Sequence, residues 1–215
     1  MTTLLLDCTH GSTKDGFANA VRALAPESLP PIESYVSKDE ESEHRGCANV
    51  SLRTPNPEHA HAHHHHSLAE VHAAIEAAPV AEAVKEDARG VYALIAAAEA
   101  KAHGVSEAEV HFHEVGAPEA IAHILAACDA MTRIPRTRTV ATPICTGFGY
   151  VDCAHGRLPI PAPATANVLE GYPTFAGSQE GELTTPTGAA LAVYFADEFV
   201  EAIVDADIVI CCNPC

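Results

Sequence analysis

The hydrophobic positions change period along the chain, and each change marks an element. Residues 3–8 (TLLLDC) form a short apolar run that reads as a buried first strand. The turn THGSTKDG follows, then a helical pattern over 16–25 that Pro26, Pro30 and Pro31 end. Residues 32–50 carry no clear period; they include an acidic run at 39–43, read as a solvated loop, and 49–52 is a candidate strand. Ser67 stands three residues before Glu70, ahead of an apolar periodic segment, and this capping box predicts a helix over 68–77. Val84, Val91, Leu94 and Ile95 keep a helical period over 80–103, with Gly104 as the C-cap and Gly90 a tolerated weak point. The alternation of VHFHEV at 110–115 reads as a strand with His111 and His113 on one face. Pro118 suits the first turn of a helix running to Thr132. Strands are expected over 137–145, 150–153 and 206–211. Helices are expected over 164–170 and, capped by Thr185, over 186–199. Strands and helices alternate without internal repeats, which predicts an α/β or mixed α+β fold.

Composition sharpens this picture in three ways. Hydrophobic residues make up 47% of the 215, enough for a large core, but aromatics are 5% and Trp is absent, so Ala, Val, Leu and Ile must fill it. A net charge of −17 argues against nucleic acid as a partner and is compatible with attracting cations. No run approaches the roughly 18–20 apolar residues of a membrane span. The N-terminus has no basic region before its short apolar run, so a secretory leader is not expected. A cytoplasmic chain follows, with its eight cysteines mostly as reduced thiols.

Five constellations carry candidate chemistry. The most conspicuous is EHAHAHHHHSL in the loop 54–66, where His59, His61, His63, His64, His65 and His66 fall within eight residues. Imidazole binds borderline cations such as nickel, zinc and copper. Ala-spaced ligands wrap an ion in several arrangements, which suits capture and release better than a fixed catalytic shell. The competing reading is a polar linker. The second is His111, His113 and Glu114, a chelating strand or merely two surface histidines; the H-E-x-x-H pattern of zinc proteases is absent. The third joins Asp7, His10, Gly11 and Asp15 between the first strand and first helix. Two carboxylates there can hold a divalent ion, or orient a nucleotide phosphate through it; ordinary capping is the alternative, and no P-loop is present. The fourth is Cys153 with His155, soft ligands or inert packing. The fifth is the segment 182–188, where Thr184, Thr185, Thr187 and Gly188 at a helix start make an anion site or a plain cap. A lone C-x-x-C, Cys212 to Cys215, is weak evidence for zinc.

VHFHEVGA (110–117), CAHGRLPIPAPAT (153–165) and GELTTPTGAA (181–190) occur together in one order. With EAKAHG (99–104), the histidine loop and the opening Asp7, Gly11 and Asp15, they resemble the nickel-insertion proteins of the lactate racemisation system. The resemblance covers most of residues 1–200. It implies nickel insertion into pyridinium-3,5-bisthiocarboxylic acid mononucleotide, giving the nickel-pincer nucleotide. It also implies that His59 to His66 gather nickel. His111, His113, Glu114 and His155, with Asp7 and Asp15, would relay it or hold the substrate, and the segment 182–188 would take the nucleotide phosphate. A homo-oligomer is expected by the same analogy. Three departures stand out. The usual S-G-D-M is Ser12-Thr13-Lys14-Asp15-Gly16 here. The usual V-D-S-I-V-D after the histidine motif becomes Pro118-Glu119-Ala120-Ile121-Ala122-His123. The family usually continues into a C-terminal half that binds CTP with Mn2+ or Mg2+, so residues 1–215 correspond to the N-terminal nickel-handling domain, and a separately encoded half is a candidate partner. Two other functions compete: a non-enzymatic nickel carrier or store, and a zinc-dependent hydrolase.

Overall fold

The computed structural model describes residues 2–25, 29–36, 66–153, 156–202 and 205–213. Strand β1 (Thr3–Asp7) buries Leu4, Leu5 and Leu6 completely. Thr13 then accepts a hydrogen bond from the Gly16 amide (3.1 Å) and starts α1 (Lys14–Leu24). Strand β2 (His66–Ser67) leads directly into α2 (Leu68–Ala77). The capping box is formed as its spacing predicts: the Glu70 amide donates to Ser67 Oγ (3.2 Å) and the Ser67 amide to Glu70 Oε2 (2.7 Å). Helix α3 (Glu82–His103) ends at Gly104 in the left-handed region, φ 68°. Strand β3 (His111–Phe112), a 3-10 turn (Glu114–Gly116) and α4 (Pro118–Arg133) follow.

The second half begins with β4 (Arg138–Ala141), β5 (Ile144–Cys145), β6 (Gly147–Phe148) and β7 (Tyr150–Cys153). Then come β8 (Gly156–Pro159), α5 (Pro163–Val168), β9 (Thr174–Phe175) and β10 (Gly181–Glu182). Helix α6 (Pro186–Phe195), β11 (Glu198–Phe199) and β12 (Ile208–Cys211) complete the order. A parallel sheet in the order β11-β4-β1-β12 forms the centre, with β1 paired on both sides. That position accounts for the unbroken apolar run of β1: Leu4 and Leu6 join the main core, and Leu5 is equally shielded. The remaining strands form two-stranded ladders, so the fold is mixed α/β.

The core is built as the composition requires, largely from alanine and aliphatic side chains on α1, α3, α4 and α6. Gly90 has a packing reason: a Cβ there would collide with the ring of Tyr194, whose hydroxyl donates to Asp87 (3.0 Å). The buried charge Asp129 accepts from Tyr35 Oη (2.8 Å) and Arg133 Nε (2.8 Å), as a carboxylate out of water must.

Three elements depart from the sequence expectation. The strand expected over 137–145 divides at Thr142 and Pro143. Thr142 turns its hydroxyl to accept from the Cys8 amide (2.8 Å), and proline has no amide to continue a ladder. The helix expected to reach 199 stops at Phe195, because residues 198–199 are drawn into the sheet as β11 and the Asp197 amide donates to Thr139 (2.9 Å). The strand expected over 110–115 shrinks to two residues, since the chain turns at His113 (φ −94°, ψ −98°). The acidic run at 39–43, the candidate strand at 49–52 and most of the histidine loop lie outside the described residues.

Candidate functional site

The turn at His113 creates the site. It sends His113 into a cleft of about 320 Å³ and leaves His111 exposed opposite Ser67. The shared strand face expected for the two histidines is therefore not formed. The cleft is lined by the C-terminal end of α3, the turn after β3, the β7–β8 hairpin, the start of α5 and β10. Glu99 and His103 enter from α3, where their i,i+4 spacing brings His103 Nε2 to 3.5 Å from Glu99 Oε2. Glu114, Asp152, Cys153 and Glu182 complete its ionisable lining. Glu182 is held above its ordinary carboxyl pKa, first by burial and then by the nearby charge of Glu114. A carboxylate so raised is a better proton acceptor than an exposed one.

The end of the histidine run is fastened beside this cleft. His66 pairs with Phe112 in the β2–β3 ladder. Gly116 admits it: a Cβ at Gly116 would lie 2.7 Å from His66 Cβ and 2.6 Å from Phe112 Cβ. The Tyr92 hydroxyl donates to the Val115 carbonyl (2.8 Å) and holds the same turn against α3. His59, His61, His63, His64, His65 and His155 lie outside the described residues.

The third and fifth constellations take different positions. Thr184 is fully buried, accepting from the Ser12 amide (2.9 Å) and donating to the Cys145 carbonyl (2.7 Å). Thr185 caps α6 through the Gly188 amide (3.3 Å), and Thr187 is buried. Ser12 donates its hydroxyl to the Gly188 carbonyl (2.9 Å), and a Cβ at Gly188 or Gly11 would strike facing backbone. These residues thus form a packed junction between the β1–α1 loop and the start of α6, and the chain's own loop covers that helix N-terminus. Asp7 and Asp15 do not share a site. Asp7 faces His10 and Cys211, whereas Asp15 groups with Glu119 and His123. His123 Nε2 lies 2.9 Å from Asp15 Oδ1, and Lys14 Nζ lies 3.2 Å from Glu119 Oε1.

Sequence reasoning passed over Glu99 and His103 as ligands, although both fall in the EAKAHG segment. Their signal was the i,i+4 spacing at a helix end. It also placed Glu182 with the hydroxyls that follow, whereas β10 turns it into the cleft.

The fold is mixed α/β, and its half-buried cleft is lined by carboxylate, imidazole and thiol side chains, donor types that suit a borderline transition cation. The nickel insertion protein family matches residues 4–208, and the chain belongs to that family. It is 38% identical over 212 residues to a protein of Geobacter metallireducens that carries the nickel insertion name, covering 94% of this chain and 54% of that protein. It is 42% identical over 132 residues to the pyridinium-3,5-bisthiocarboxylic acid mononucleotide nickel insertion protein of Desulfitobacterium hafniense, covering 61% of this chain and 33% of the relative. The protein of that name from Clostridium kluyveri is 41% identical over 136 residues, or 63% and 34%. The chain thus spans about half or less of the length of these relatives. No solved structure matches it. No described helix is long and apolar enough to cross a membrane.

Proposed function

We propose that this chain is the nickel-handling part of a protein that inserts Ni2+ into pyridinium-3,5-bisthiocarboxylic acid mononucleotide. The observation that carries the reading is the convergence of His113, Glu114, Cys153 and Glu182 from three separate sequence motifs on one cleft. Nickel and the nucleotide are both substrates. The histidine run supplies nickel through labile imidazoles, and its last member is fastened beside the cleft. The pyridinium ring lies in the cleft with its reactive carbon toward Glu182. As the carbon–nickel bond forms, the ring C–H bond breaks and its proton passes to the Glu182 carboxylate. The two thiocarboxylates displace the remaining protein ligands, and soft sulfur donors suit nickel. His113 and Glu114 hold the ion for that exchange, and Glu99 orients His103.

CTP with Mn2+ or Mg2+ is expected to act, by the same family resemblance, through a part of the protein beyond these residues. The test is mass spectrometry of the metal-free nucleotide after incubation with the chain and Ni2+. It is run with and without CTP, Mn2+ and the remaining part of a relative. Nickel on the nucleotide that requires this chain supports insertion. Nickel bound by the chain but never transferred, under every condition, overturns it in favour of a carrier.

A further inference from the structure

A second donor set lies at the carboxyl end of the parallel sheet, apart from the cleft. Asp7 ends β1, Cys211 ends β12, and the two are register partners on adjacent strands, which brings their side chains together. His10, on the loop after β1, joins them, and one ligand atom from each of the three lies within 4.8 Å of the others. Carboxylate, imidazole and thiolate together suit a borderline divalent ion, and the thiolate excludes the hard cations Mg2+ and Ca2+ as preferred occupants.

Outer contacts orient two of the three donors. Thr9 donates to Asp7 Oδ1 twice, from its amide (3.0 Å) and its hydroxyl (2.6 Å), leaving Oδ2 for an ion. That hydroxyl has given its proton to Asp7, so it accepts from His10 Nδ1, 3.3 Å away. In this tautomer Nε2 carries the lone pair. Such relays from carboxylate through an outer partner to imidazole fix ligand geometry in metal sites. The Asn213 amide donates to the His10 carbonyl (3.1 Å) and draws the segment after β12 to the same loop. The neighbouring Cys212 is fully buried with its thiol 3.3 Å from Cys8 Sγ, whereas Cys211 is only half-buried at the end of β12. His10 also borders a cavity of about 530 Å³, which gives an ion with three protein ligands an open side.

We propose that Asp7, His10 and Cys211 form a binding site for one borderline divalent transition cation, Ni2+ in this chain. Coordination replaces the thiol S–H bond with S–Ni, and the proton goes to solvent. The site is separate from the cleft, so the proposal stands or falls independently of nickel insertion.

The experiment is Ni2+ titration of the intact chain, kept reduced with a phosphine, followed by near-ultraviolet absorbance. Imidazoles of the histidine run give no thiolate-to-nickel charge-transfer band, so the band reports cysteine coordination alone. We expect a band that saturates at one equivalent per chain, is lost in Cys211→Ser and persists in Cys153→Ser. Thr9→Val keeps the ligands but removes the relay, and is expected to weaken binding by about 10–100-fold. Far-ultraviolet circular dichroism confirms that each variant is folded. Absence of the band in the parent chain, or its survival in Cys211→Ser, overturns the site.

Discussion

Gly116 offers the sharpest test of how the histidine run is joined to the cleft. Replacing it with alanine adds one methyl group, which would lie 2.6 Å from Phe112 Cβ and 2.7 Å from His66 Cβ. Carbon atoms not bonded to one another settle at about 3.5–4.0 Å, so each contact is about 1 Å too close. Neither neighbour has a flexible tip to swing aside, because both atoms are fixed to backbone. The strain must therefore move β2 against β3, and that ladder is only two residues long. Overpacking of this kind costs about 1–3 kcal/mol. At about 2 kcal/mol, a chain of this length loses roughly 4–8 °C in Tm. Thermal unfolding followed by circular dichroism reads the shift, and backbone amide exchange at His66 and Phe112 is expected to accelerate in the same variant. A Tm within about 1 °C of the parent with unchanged exchange would refute the close packing of Gly116 against His66.

Glu182→Gln separates activity from stability. Its raised carboxyl pKa means that the folded chain binds more protons than the unfolded one between 4.5 and the raised value, so stability falls as pH climbs through that window. The amide escapes this cost, so the variant is expected to melt above the parent at neutral pH and with it below pH 4.5, while insertion slows by roughly 10²–10⁴-fold. Equal melting at neutral pH, or full activity, counts against the assigned role. Tyr35→Phe removes one of the donors to buried Asp129 and is expected to cost about 1.5–3 kcal/mol, read as a lower urea midpoint with an unchanged slope. Ser67→Ala breaks the reciprocal cap of α2 and is expected to cost about 1 kcal/mol, or roughly 2–4 °C in Tm.

Legibility in the sequence followed the range of the forces involved. The capping box at Ser67, the helix over 68–77, the Gly104 cap and strand Tyr150–Cys153 were readable because each is set by residues a few positions apart. The apolar run of β1 announced a buried strand for the same reason. What failed depended on distant partners. The turn at His113 answers to Tyr92 and His66, and β11 forms because Thr139 and Asp197 exchange hydrogen bonds across the sheet. The packing of the hydroxyl segment 184–188 was equally hidden, because its partner Ser12 lies far away in sequence. Motif order named candidate residues, and tertiary packing decided which of them met.

The two proposed donor sets differ in a way that bears on transfer chemistry. An ion moves from protein to substrate only if the protein ligands near the substrate hold it less tightly than the substrate's own carbon and sulfur. On the proposed function, the cleft would offer carboxylates, imidazoles and, among the described residues, the single thiol Cys153 for that exchange. The set with an oriented imidazole and carboxylate beside a cysteine lies elsewhere, at Asp7, His10 and Cys211. Consecutive residues border the two cavities: Glu182 lines the cleft and Leu183 the larger one. The packed junction of Gly11, Ser12, Thr184 and Gly188 stiffens the chain beside that boundary. On the proposed reading, the oriented set beyond that boundary would hold an ion of its own, while the cleft donors would take part in the exchange with the substrate.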